Sequence, residues 1–491
     1  MKTTALSRRR LLGSALGLAG LAALPLIAAC APAASAPTPA PAAAAAPAAT
    51  AAPAAPAAAA ATSTTAPAAA AAPSGTKVEL RIHDWVQDPQ DTFYGPLFKK
   101  FEAEHPGITI KREWFPRNDM HTKELALAAT GQIGDIVRIN VAVLTPELVA
   151  KNVIQALDSY IKADTAWNGY DQKQFWAGNI ANYTIKGQQY GYPVVGHPGA
   201  IQHYMNLDMV KKTGLKYPIA DNGFKWTIDD AVALFKALTV TGADGRVSTY
   251  GILPNLGGEG TVGILRSFGG DFYSEDGTKC VVNTPEAIAG LTWISDLYNK
   301  HKVAIPFDAN ADPNKLFPGK IVADSVSTSF FAGLAPSVIK DAFAWSVFPP
   351  PIGPSGKFET QVSSDGIGMS KISKHPQEAW EVVKLYGSKE HGLGRFLVGL
   401  GSPGSRDDIW ASPEFKAKVP LLYSNIYETL IDPAKAPPLR PWNHPANARY
   451  NETDSAMNNI MQDVWLGNKK PADAAAEAQK TVQAIMDKPV P

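Results

Sequence analysis

The chain has 491 residues, with 40 Pro, 40 Gly, 2 Cys and a formal charge of +1 at pH 7. Two cysteines exclude a disulfide scaffold, and a charge this close to zero excludes nucleic-acid binding driven by net charge. The length predicts two or three domains with real cores. Before residue 76 the only charges are Lys2, Arg8, Arg9 and Arg10, and prolines recur from Pro25 to Pro73, so the folded part begins after them.

The three arginines precede an apolar run, Leu11 to Ala29. A basic head, an apolar middle and small residues at the end make a secretory signal over 1–29, not a spanning helix to carry into the fold. Ser7 to Leu12 resembles the twin-arginine export signal, whose machinery passes folded proteins. Ile27, Ala28, Ala29 and Cys30 resemble the bacterial lipobox, which implies that Cys30 carries diacylglycerol and becomes the first mature residue; the alternative is a plain cleaved signal with an incidental Cys30. Losing Lys2 and the three arginines turns the charge from +1 to −3. From Ala31 to Gly75 the chain is almost only Ala, Pro, Ser and Thr. Frequent proline blocks helix and nothing bulky can be buried, so 30–75 is expected to be the lipidated Cys and a disordered tether. At about 3.1 Å per residue, fully extended, it reaches on the order of 140 Å. No other apolar stretch approaches the length that spans a bilayer.

In the folded part, Val78, Leu80 and Ile82 alternate with Lys77, Glu79 and Arg81, which predicts a strand. Tyr94, Leu97, Phe98 and Phe101 recur at helical spacing, Pro106 and Gly107 stop the helix, and Ile108, Ile110 and Trp114 form the next strand. A second helix over Lys123 to Ala129 leads to an apolar strand, Ile136 to Val141. This βαβ alternation predicts a parallel sheet covered on both faces. Pro285 and Pro376 stand at the first position of two helices, with core stripes Ile288, Leu291, Ile294, Tyr298 and Ala379, Val382, Val383, Tyr386. Pro471 to Met486 reads as an amphipathic closing helix.

Several segments, in order, resemble the family-1 extracellular solute-binding proteins of ABC importers, the group of maltose-binding and glycerol-phosphate-binding proteins. They are Asp84-Trp85 after the first strand, Phe101 to Ile108, Gly131 to Asp135, and Gly187 to Pro193 leading to Tyr204, Met205, Asn206. Further on come Trp226 to Asp229, Phe317 to Lys320, Ile372 to Tyr386 and Gly401 to Arg406. Gly134 departs from the family's usual Pro and Asp324 from its usual Met. The resemblance implies an α/β, two-lobe periplasmic-binding-protein fold (type II-like), with hinge crossovers and a ligand cleft between the lobes. Lobe one is expected over 76–193 plus 359–398 and lobe two over 194–358 plus 399–491.

Ligands of open parallel sheets bind beyond the carboxyl ends of the strands. That places Trp85 and Asn140 at the cleft wall, Trp85 as a platform or as a lid over its own sheet. A sugar needs aromatic faces for its C–H surfaces and polar groups for its hydroxyl rim. His197 is a candidate as it follows the crossover, or a surface loop histidine. Glu259, in a Gly-rich loop that makes a poor phosphate cradle, and Phe268, before Gly269, are further candidates; for Phe268 the alternative is core packing. Ser327 and Phe330, with Phe331 as competitor, occupy a position where relatives supply an aromatic. Arg406 suits a hydroxyl rim, a carboxylate or an interlobe salt bridge. Asp365 serves ligand or hinge, and Trp442 is a last platform.

A glycoside hydrolase of the envelope is the rival reading, but no carboxylate pair, nucleophile elbow, zinc motif or P-loop stands out. Nine scattered histidines argue against a metal site. The expectation is therefore a non-enzymatic ABC-importer receptor for a carbohydrate, without cofactor, metal or nucleic acid. It would be a monomer, lipid-anchored outside the cytoplasmic membrane, which closes on its ligand and docks on permease subunits.

Overall fold

The computed structural model describes residues 77–197, 202–432, 434 and 440–491. The export signal, Cys30 and the tether lie outside them. The main strands are β1 (Val78–Asp84), β2 (Ile108–Trp114), β3 (Ile136–Ile139), β4 (Gly191–His197), β5 (Gln202–Asn206), β6 (Asp324–Ser327), β7 (Trp345–Phe348), β8 (Gln361–Met369) and β9 (Arg440–Pro441). The long helices are α1 (Tyr94–Glu104), α2 (Arg117–Ala129), α3 (Ile228–Leu238), α4 (Gly258–Phe268), α5 (Pro285–Asn299), α6 (Ser329–Ile339), α7 (Pro376–Gly387), α8 (Lys389–Leu397), α9 (Tyr450–Trp465) and α10 (Pro471–Met486).

The opening βαβ unit forms as its periodicity predicts. Leu80 and Ile82 of β1 and Tyr94, Leu97 and Phe101 of α1 are buried. Each such side chain contributes about 1.5–3 kcal/mol by leaving water. Helix α2 starts at Arg117, not Lys123: its polar first turn hides the signal, but Pro116 precedes it in extended backbone and Met120 anchors it in the core. α5 begins as expected with Pro285 behind the Thr284 cap, whose hydroxyl accepts from Ala287 N at 3.3 Å. α10 buries Ala474, Ala478 and Val482, one turn apart, among residues of α5 and α9.

The first sheet is mixed, whereas a parallel one was expected. β2, β1 and β3 are parallel, but β8 joins β3 antiparallel, pairs β4 antiparallel on its other side, and takes β9 alongside its first residues. The cause is connectivity: β8 enters from the second sheet, from the opposite direction to the strands fed by covering helices. That second sheet, in the order β6, β5, β7, is antiparallel throughout.

Two α/β lobes result. The first has α1 and α7 over one face of its sheet, around Ile82, Ile136, Ile367 and Trp380, and Val137, Ile139, Leu148 and Tyr183 on the other. The second holds Met205, Trp226, Phe235 and Phe348 about β5, and a helical layer of α4, α5, α9 and α10. The chain leaves the first sheet at His197, enters the second at Gln202, and returns between Phe348 and Gln361. After α8 it passes back to Trp410, Phe415 and Ile426, which pack with Tyr204, Phe317 and Phe331.

Candidate functional site

Strand register assembles the lobe-one surface. Ile82 lies opposite Ile136, and Ile367 opposite Arg138. Asp84, Arg138 and Asp365 therefore share one face, at the carboxyl ends of β1 and β3. Trp85 follows at the exit of β1, its carbonyl accepting from Trp114 Nε1 at 2.9 Å. The Arg117 guanidinium stands 4.9 Å from the Trp85 ring and that of Arg138 5.6 Å. Arg117 also faces Asp365 at 3.4 Å. Asn140 donates to the Arg117 carbonyl at 3.0 Å, leaving its buried Oδ1 without a partner. Asp84 is fully buried; burial opposes its ionisation, but the charges of Arg138 and Arg112, the latter at 3.0 Å, outweigh it and hold the carboxyl below the usual range.

Lobe two offers a cavity of about 560 Å³, lined among others by Asn255, Tyr298, Ser327, Asn458, Gln462 and Trp465. Its size falls within the 300–1,000 Å³ typical of small-molecule sites, and its lining mixes aromatic faces with amides and a hydroxyl. The lobes touch nearby. Val143 and Leu144, in the turn after Asn140, pack on Trp442 and Tyr450, and Asn451 donates to Glu147 at 3.4 Å. Gly258 permits the approach of α4 to this contact, because a Cβ there would lie 2.9 Å from Trp442 Cζ2.

Register and the crossovers thus bring Trp85, Asn140 and Asp365 together, with Ser327 on the cavity of the other lobe. His197 ends β4, where its backbone pairs with Ser363, and Glu259 sits in the first turn of α4. The side chains of these two lie outside what the structure describes. Phe268 turns toward Gly290 of α5. Phe330 is half-exposed beside Gly401. Arg406 is buried and engaged by Asp171, Asp408 and the Gly387 carbonyl. Trp442 is buried edge-on against Tyr450. The sequence reading missed Arg117 and the amides Asn255, Asn458 and Gln462, and it missed Arg138, buried behind the site. Arg138 did carry a signal: a charged residue inside an apolar strand is seldom buried without a task.

Among the described residues no group of three or more His, Cys, Asp or Glu is placed to hold a metal ion, and no helix is long and apolar enough to cross a membrane. Burial pushes the Cys280 thiol up to about 11, so it is inert at neutral pH.

Two α/β lobes joined by crossovers, with polar and aromatic side chains presented where they meet, define a receptor that holds a solute between its halves. Residues 84–392 match the model of the bacterial extracellular solute-binding proteins, and the chain belongs to that family. The family is one of binding proteins, which sets aside the glycoside hydrolase alternative. Similar proteins include a binding protein of Brucella abortus (strain 2308), 24% identical over 412 residues, covering 80% of this chain and 90% of the relative. The arabinooligosaccharide-binding protein of Bacillus subtilis (strain 168) is 23% identical over 359 residues, covering 70% and 78%. Among solved structures, the ABC substrate-binding protein from Listeria monocytogenes in complex with cycloalternan superimposes with a TM-score of 0.69 at 22% identity, over 84% of this chain and 99% of that one.

Proposed function

We propose that the protein is the carbohydrate receptor of an ABC importer, capturing a sugar or oligosaccharide by closure of its lobes and delivering it to permease subunits. The observation that carries this is the chemistry of the lobe-one surface at Trp85 and of the lobe-two cavity. Trp85 supplies a flat apolar face beside Asn140 and Asp365, while the lobe-two cavity supplies Asn255, Asn458, Gln462, Ser327 and Tyr298. Amides, hydroxyls and the carboxylates of Asp365 and Asp308, set among aromatics, suit a ring with C–H faces and a hydroxyl rim. The arabinooligosaccharide and cycloalternan relatives support the same class.

In this reading Trp85, Asn140, Asp365, Ser327, Phe330, His197 and Glu259 reach the ligand, whereas Phe268, Arg406 and Trp442 hold the surfaces that do. Contacts to both lobes exist only in the closed form, so ligand shifts the population toward it. The hinges lie at the crossovers, near the expected divisions at 358/359 and 398/399, whereas the expected division at 193/194 falls inside β4 and moves to the passage from His197 to Gln202. Cys30 carries the lipid, and 30–75 tethers a monomeric receptor outside the cytoplasmic membrane. Thermal-shift and small-angle scattering measurements over a panel of mono- and oligosaccharides test this. One member should raise the melting temperature and compact the protein. Compaction by a peptide or a metal ion, and by no sugar, would refute the assignment.

A further inference from the structure

On the helix-covered face of the first sheet, beneath Trp85, lies a group of polar side chains that solute binding leaves unused. Arg138 is 1% exposed, and its Nε, Nη1 and Nη2 are all buried without a hydrogen-bond partner. The hydroxyls of Tyr94 and Tyr386 and Nε of Arg395 are in the same condition. These residues come from β3, α1, α7 and α8 and converge. The Tyr94 and Tyr386 rings lie 6.3 Å apart, His391 packs 4.5 Å from Tyr386 and 6.0 Å from Tyr94, and the Arg138 charge acts on all three. An arginine has five N–H donors, and leaving them unused in the interior is costly.

The charge balance says what would satisfy them. Arg112, Arg138 and Arg395 bring three positive charges to this interior. Asp84, 3.0 Å from Arg112 and acting on Arg138 as well, answers one of them, and Arg395 spends donors on the carbonyls of Leu400 and Ser402. Asp365 acts on Arg138 as well as facing the half-exposed Arg117, so two carboxylates stand against three guanidinium groups and one positive charge is left over. Neutral groups or water can saturate donors, but they leave the excess positive charge in a medium of low dielectric. Asp84, Arg138, Tyr94, Tyr386 and His391 are all buried, so a group carried on a solute in the cleft does not reach them.

We propose that this interior is a binding site for one small monovalent anion of the halide class, held by the Arg138 guanidinium and the Tyr94 and Tyr386 hydroxyls. The anion neutralises the helix-covered end of the sheet from which Trp85 projects, and it binds in both the open and the closed form.

The test uses the purified full-length protein, without sugar, at fixed pH and ionic strength. Chloride or bromide is exchanged for gluconate, an anion too large to enter. Raising bromide from zero to 100 mM should lift the melting temperature by about 3 °C or more, saturably, as binding to the native state alone requires. Arg138→Met should abolish that dependence. A bromide crystal form measured at the bromine edge should show one anomalous peak within hydrogen-bond distance of the Arg138 guanidinium, a readout that needs no variant to fold. No peak there, a melting temperature indifferent to halide, or stabilisation by acidic sugars in place of halide would overturn the proposal.

Discussion

Replacing Arg406 by Met separates a structural role from a ligand contact. The guanidinium is 1% exposed and donates to Asp408 at 2.9 and 2.7 Å, to Asp171 at 2.7 Å and to the Gly387 carbonyl at 3.1 Å. Met keeps most of the aliphatic stem but removes every donor, together with the guanidinium that stands 5.3 Å from the Phe175 ring. The Asp408 side chain, 10% exposed, is then left as a nearly dry carboxylate, while Asp171, 30% exposed, regains water. Removing one partner of a buried pair costs about 3–5 kcal/mol, and the exposure of Asp171 puts this case at about 3 kcal/mol. For a lobe of ordinary domain size that is a fall in melting temperature of roughly 6–12 °C. Calorimetric melting and sugar titration on the same samples read the two roles separately. Arg406→Met should melt early and, where folded, bind with unchanged affinity. A variant that melts within about 1 °C of the wild type yet loses affinity tenfold would refute the reasoning and make Arg406 a ligand contact.

Trp85→Ala should do the converse: roughly ten- to hundredfold weaker sugar binding by titration calorimetry, with little change in melting, since the ring is partly exposed. Unchanged affinity would remove Trp85 from the site. Asp84→Asn should destabilise in a pH-dependent way. The folded-state carboxyl is held below its ordinary value of about 3.9, so its contribution is present above that pH and is lost as pH falls through the folded-state value. The gap in melting temperature between wild type and variant should be full near pH 6 and shrink below about pH 4; a gap that widens with acid would show that the carboxylate is not stabilised by its arginines.

Much of lobe one is legible from residue order, because β1, α1 and β2 each keep a single period over consecutive residues. The strand β8 is not. Gln361 to Gly368 reads as Ser, Asp and Gly with few apolar residues, and its partners on β3 and β4 are fixed only by three-dimensional closure. The grouping of Trp85 with Asn140 follows from the strand-end rule. Arg138 escaped because a run of apolar neighbours made Ile136 to Val141 look like plain core. Asn458 and Gln462 sit on α9 where polar residues read as a solvated face, and both are exposed; only the packing of that helix beside the loop at Asn255 puts them on the wall of a cavity. Phe268 stands on the other side of that ambiguity, an aromatic before a Gly pair whose ring lies against Gly290 of α5.

The placement of β8 also governs when the molecule can fold. Among the described residues β4 has no sheet neighbour except β8, and β8 covers the edge of β3 by setting Gly366 opposite Ile139. During synthesis β3 therefore emerges with an unpaired edge, and lobe one stays open until the chain has crossed lobe two and returned. Any route that exports the finished protein must wait for that last strand, and any route that threads the chain must hold two bare edges apart on the far side. The interleaved topology thus makes the choice of export machinery a question about the lifetime of one strand's vacancy.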